Sequence, residues 1–149
     1  MPTLVHEVEM EVPAPTVWAS LKDQNTIFPK IAPHVFTSIE DIEGPDGVPG
    51  SIRKVSFGSI APGAFVKEKI VDFDMENFSV TAEEIEGGHL LQGFSKWVQK
   101  MQVVAVDDVK SKVVLTVEYE YSNQEILERT KGGMTTLFKA FEGYLRHSP

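Results

Sequence analysis

The sequence predicts an α+β domain, a curved antiparallel sheet of seven strands with its helices segregated from it along the chain. Three observations support this. A first alternating segment is followed at once by two short helical stretches. Six further segments with period-two alternation then follow one another between Phe36 and Tyr121, joined by short polar or Gly-bearing turns. Finally the periodicity changes to a single helical stripe near the C-terminus. Strands gathered in one run and helices at its ends is the pattern of the α+β class.

Taken in order, Thr3–Val12 places Leu4, His6, Val8 and Met10 on one face and Glu7, Glu9 and Glu11 on the other, and Pro13 stops it. Residues 14–21 and 25–31 read as short helices, the second punctuated by Pro29 and Pro33. Strands are expected at 36–42, 51–57, 64–73, 77–85, 90–106 and 112–121, with EGPDGVPG (43–50) as a turn cluster and Asp107-Asp108 marking the last hairpin. The helix expected at 125–146 carries Ile126, Thr130, Met134, Leu137, Phe138, Phe141, Tyr144 and Leu145 within an arc of about 120°. Glu128, Thr135, Lys139, Glu142 and Arg146 lie opposite. Ser122 and Glu125 have capping-box spacing, with Tyr121 and Ile126 placed as a staple. Gly132-Gly133 interrupts the helix. At about 1 kcal/mol per interior Gly, the pair suggests a bend over a cavity, a close backbone approach, or space left empty.

The 149 residues suit one domain, 1–149, with a core that needs no staple. Cysteine is absent, which removes disulfides, thiolate metal sites and thiol catalysis. No apolar run approaches the roughly 18 residues of a membrane span, and the N-terminus reads as a strand. A net charge of −8 with no basic run opposes nucleic-acid binding. The histidines, His6, His34, His89 and His147, are dispersed, and His6 alone is expected to face inward as a hydrogen-bonded core residue. No metal site, cofactor, nucleic-acid partner or membrane partner is expected.

A seven-stranded sheet is too large to lie flat on one helix, so the space between them becomes the candidate site. Strand alternation sends three polar residues, Arg53, Glu68 and Gln99, to that interior. They must be paired or wet, because an unpaired buried charge is costly. Either Arg53 and Glu68 close one end of a core as an ion pair, or the three orient a mostly apolar ligand in a cavity. The candidate ligand-contact set is Arg53, Val55, Phe57, Val66, Glu68, Val80, Ala82, Leu90, Trp97, Gln99, Met101, Tyr119, Met134, Leu137 and Phe138. Gln99, which can both donate and accept, is the expected reader of a hydrogen-bonding ligand edge.

The turn entered by IEG, the strand GSIRKVSF (50–57), FVKEKIVDFD (65–74), the IEGG turn (85–88) and the terminal LFKAFEGYLRHSP (137–149) together resemble the plant pathogenesis-related class 10 proteins, the birch major pollen allergen family, related to START domains. The resemblance covers the whole chain. It implies a helix-grip fold with a large hydrophobic cavity. It also implies cytoplasmic binding, storage or transport of cytokinins, flavonoids, steroids or fatty acids, with links to defence or stress, as a monomer or weak dimer.

One branch of that family, the norcoclaurine synthases, uses a Lys with Glu, Asp and Tyr partners. The matching positions here are Val80, Glu68, Gln99 and Val66, so only the Glu is kept and that activity is not expected. The abscisic-acid receptors carry a gate and a latch. The matching segments, GSIAPGA (58–64) and GGHLLQ (87–92), keep neither motif intact. The Gly-rich turn lacks Gly-Lys-Ser/Thr and opens no helix, so it reads as a strand connection and not a phosphate cradle. A ribonuclease reading through Glu86 and Tyr144 gathers no acid, base and cation together.

Overall fold

The computed structural model describes residues 2–44, 48–121 and 123–147. The element order is β1 (Thr3–Met10), α1 (Ala14–Leu21), α2 (Gln24–Ile31), β2 (Phe36–Glu43), β3 (Ile52–Phe57), β4 (Phe65–Asp74), β5 (Ser79–Gly87), a 3₁₀ turn η1 (Gly88–Gln92), β6 (Lys96–Ala105), β7 (Ser111–Glu120) and α3 (Gln124–His147). All seven strands form one antiparallel sheet in the order β1-β7-β6-β5-β4-β3-β2. The α+β class and the consecutive strand run are therefore as the sequence predicts. The centre of the Gly-rich turn, residues 45–47, lies outside the described residues, but β2 and β3 on its two sides pair directly.

One segment differs. Residues 90–95, expected to begin a long strand, instead complete η1 and a short connection, and β6 starts only at Lys96. Gly87, Gly88 and Gly93 all have positive φ here. At Gly87 a side chain would also collide with the Phe65 carbonyl oxygen, so the chain turns tightly against β4 where a strand would have run on.

The sheet is curved, and its pairing shows where. Register shifts interrupt β2–β3 at Phe36/Ser38 and Asp41/Glu43, and β4–β5 at Lys67/Glu68 and Ile70/Asp72. Each extra residue increases local twist and bends its strand. The second β4–β5 shift swings Phe73 onto the concave face opposite Val80.

The helix α3 lies along that face on Leu127, Leu137, Phe138 and Phe141, all buried. Its start is capped by Asn123, whose Oδ1 accepts from the Ile126 N–H at 3.2 Å. Ser122, the expected cap, lies outside the described residues. Tyr121 packs edge-on against Phe94, over Gly93. Residues expected on the solvent side of α3, Thr135, Lys139, Glu142 and Arg146, are used instead to fasten it. Thr135 bonds His6 Nε2 at 2.7 Å, and Glu142 accepts the Glu11 N–H at 2.6 Å.

The helix runs unbroken through Gly132 and Gly133. Both are exposed, and a Cβ at either would meet nothing within 4 Å. No close approach requires them, which removes that part of the expectation. Gly132→Ala and Gly133→Ala should each stabilise the protein by about 0.5–1 kcal/mol through helix propensity and a less flexible unfolded chain. Urea unfolding would read this directly; destabilisation by either change would mean that the backbone needs glycine there.

Candidate functional site

The candidate site is built from the concave face upward. A cavity of about 450 Å³ opens between the α1–α2 connection and strands β3, β4 and β5. Trp18, Leu21, Lys22 and Gln24 line one side, with Val48 and Pro49 from the end of the Gly-rich turn. Arg53, Ile70, Phe73, Met75 and Val80 line the other. Trp18 stands in an aromatic wall, 5.4 Å from Phe73 and stacked at 5.5 Å on Phe78. Phe78 holds a positive φ of 53° in the β4–β5 hairpin. Asp74 orders that hairpin. Its Oδ1 accepts the Glu76 and Asn77 N–H groups and its Oδ2 accepts from Asn77 Nδ2 at 2.7 Å. These bonds, the Asn77 side chain first, hold the Asp74 carboxyl below its usual value. The Trp18 indole N–H is buried with no acceptor among the described residues.

Of the fifteen residues nominated from sequence, Arg53 and Val80 line this cavity. Arg53 Nε donates to Glu68 Oε1 at 2.9 Å, with both side chains nearly buried, so the two form the ion pair that their strand register permits. Gln99 faces the same interior, but its carbonyl already accepts from the Trp97 indole N–H at 3.4 Å. Val55, Val66, Met101, Leu137 and Phe138 are buried in the main core cluster, with Phe57 and Met134 packed against it. Trp97 and Tyr119 belong to a second cluster around Phe94, Leu115 and Val117, which Met134 also touches. Ala82 is buried on β5, and Leu90 is half-buried in η1. Met134, Leu137 and Phe138 are thus core contacts of α3, and the 450 Å³ cavity lies beside the helix, at the α1–α2 end of the sheet.

Sequence reasoning missed a second polar group. His89 was expected to be one of several scattered histidines, with His6 alone turned inward. Instead its ring stacks on Trp97 with centroids 3.5 Å apart and planes within 3°. Its Nδ1 lies 2.7 Å from Glu84 Oε2, and its Nε2 lies 3.0 Å from Thr130 Oγ1 on α3. Glu84 is buried and also accepts the His89 backbone N–H at 2.8 Å. Continuing the β5 alternation from Val80 and Ala82 by one step would have found Glu84. His89 carries no such signal, because η1 has no strand period. Among the described residues no cluster of three His, Cys, Asp or Glu could hold a metal ion, and no helix is long and apolar enough to cross a membrane.

The fold is a sheet that grips a long helix, and known proteins share it. The Pathogenesis-related protein Bet v 1 family matches residues 1–148. The chain is 35% identical to the Major allergen Pru av 1 of Prunus avium over 153 residues, covering 99% of this chain and 95% of that one. Among solved structures, Ara h 8.0201 superposes with a TM-score of 0.81 at 25% identity, covering 97% of each chain. Norcoclaurine synthase from Thalictrum flavum, in complex with dopamine and hydroxybenzaldehyde, superposes with a TM-score of 0.78 at 24% identity, covering 99% of this chain and 88% of that one; this likeness is one of fold. The chain belongs to the pathogenesis-related Bet v 1 family.

Proposed function

We propose that this protein binds small, largely apolar molecules, of the size of cytokinins or flavonoids, in the cavity between α1–α2 and β3–β5. In this reading it stores or carries them in the cytoplasm during defence or stress, as a single-domain monomer or weak dimer. The observation that carries the reading is the cavity itself. Its volume of about 450 Å³ falls in the range of roughly 300–1,000 Å³ typical of small-molecule sites. Its walls combine Trp18, Leu21, Phe73 and Val80 with very few polar groups, the usual division between affinity and orientation. Family membership supports the same class of role.

Binding is favoured over catalysis because Val80 stands in the cavity wall where the synthase branch of the family has its Lys. A valine can neither form a Schiff base nor move a proton. The neutral dye N-phenyl-1-naphthylamine should bind the native protein with one-to-one stoichiometry and be excluded by Val80→Trp, which fills the space. Fluorescence titration alongside near-ultraviolet circular dichroism checks this. Dye uptake only as the protein unfolds would mean that the cavity takes no guest.

A further inference from the structure

We propose that the cavity selects amphipathic anions: ligands with an apolar ring system and one carboxylate or sulfonate, held by Arg53 and Lys22. This rests on the reading of the cavity as a binding site and adds the charge of its guest. The protein carries a net charge of −8, with 22 acidic against 14 basic residues. Yet among the described residues the charged groups lining the cavity are Lys22 and Arg53, with no carboxylate in its wall. The cationic lining runs against the composition of the chain.

Arg53 is held for this role. Its Nε is fixed by Glu68 at 2.9 Å, which sets the plane of the guanidinium. Its two Nη groups meet no acceptor among the described residues, and they present the parallel N–H pair that fits a carboxylate or sulfonate edge. The strand position of Arg53, directly opposite Glu68, is fixed by β3–β4 pairing, so the fork does not swing with a loop. Lys22 caps the C-terminal end of α1, is exposed at the rim, and has no ion pair among the described residues. It adds a second positive charge where a guest enters. Trp18 and Phe73 offer the flat apolar surface for the ring.

A matched dye pair tests this. N-phenyl-1-naphthylamine and 8-anilinonaphthalene-1-sulfonate differ in the sulfonate, so the ratio of their dissociation constants isolates the anion. Replacing both partners of the ion pair, Arg53→Met with Glu68→Met, leaves no buried charge orphaned. The ratio should move against the sulfonate by about tenfold in this double variant, while the neutral dye changes by less than about twofold. Lys22→Gln should move it in the same direction by about two- to threefold. In the wild type, raising salt from about 20 to about 500 mM should weaken the sulfonate severalfold and spare the neutral dye.

An unchanged ratio, or equal losses for both dyes, overturns the anion inference while leaving a neutral-ligand cavity standing. Failure of the wild type to bind either dye overturns the cavity reading and this inference together. Should the double variant lose its native near-ultraviolet spectrum, Lys22→Gln and the salt series decide: no difference between the dyes in either overturns the proposal.

Discussion

Phe141→Ala should lower the melting temperature by about 6–20 °C. Phe141 is fully buried, and its ring meets Phe28 edge-on at 5.5 Å and Phe138 at 6.1 Å. Phe28 in turn stacks on Phe36 at 5.9 Å, so a single aromatic cluster ties α3 to α2 and to the edge strand β2. Removing a buried Phe ring costs about 3–5 kcal/mol in lost transfer energy and cavity formation. Each kcal/mol lowers the midpoint by about 2–4 °C in a protein of this size. Calorimetry gives the shift. Because Phe141 is not in the cavity wall, neutral-dye binding at low temperature should survive the change. A loss below about 1 kcal/mol would show that the cluster collapses to fill the gap and that α3 is held mainly by its polar ties.

Glu84→Leu should destabilise the protein by about 2–4 kcal/mol, and Glu84→Gln by only about 1 kcal/mol. Glu84 receives two hydrogen bonds from His89, one from the backbone N–H at 2.8 Å and one at Nδ1 at 2.7 Å. Leucine leaves both groups unpaired in a nearly closed site. Glutamine keeps the first bond with its carbonyl. Its NH₂ can donate to Nδ1 when the ring carries its proton on Nε2, and Nε2–H then donates to Thr130 Oγ1. Nitrogen chemical shifts of the His89 ring should report that tautomer in the Gln variant. Hydrogen exchange at the His89 amide should accelerate in the Leu variant alone. Equal losses for Leu and Gln would show that the negative charge, and not the hydrogen-bond pattern, is what holds η1 on α3.

Much of this protein can be read without coordinates because its local signals agree. Alternation in β1, β3, β6 and β7 places Leu4, Val8, Val55, Trp97, Met101 and Val117 inward whatever else the chain does, since a one-residue slip would expose the whole set. The 3.6-residue stripe of α3 likewise marks Leu137, Phe138 and Phe141 for burial. The Arg53–Glu68 pair follows from two strands in phase. These are properties of short segments, and short segments are what a sequence displays.

What tertiary structure decided is where the packed faces meet and where they do not. Gln99 was legible as an inward polar residue, but that its carbonyl accepts from the Trp97 indole depends on two rotamers in a folded wall. His89 gained its partners only because η1 folds back beneath Thr130 and over Trp97. The cavity lies beside α1 and α2 because bulges at β4–β5 swing Phe73 inward and α3 fills the rest of the concave face with Met134, Leu137 and Phe138. Which face of an element is buried is set by the period of its own residues. How closely two such faces approach depends on bulges, caps and side-chain volumes contributed by distant parts of the chain, and no single segment carries that information.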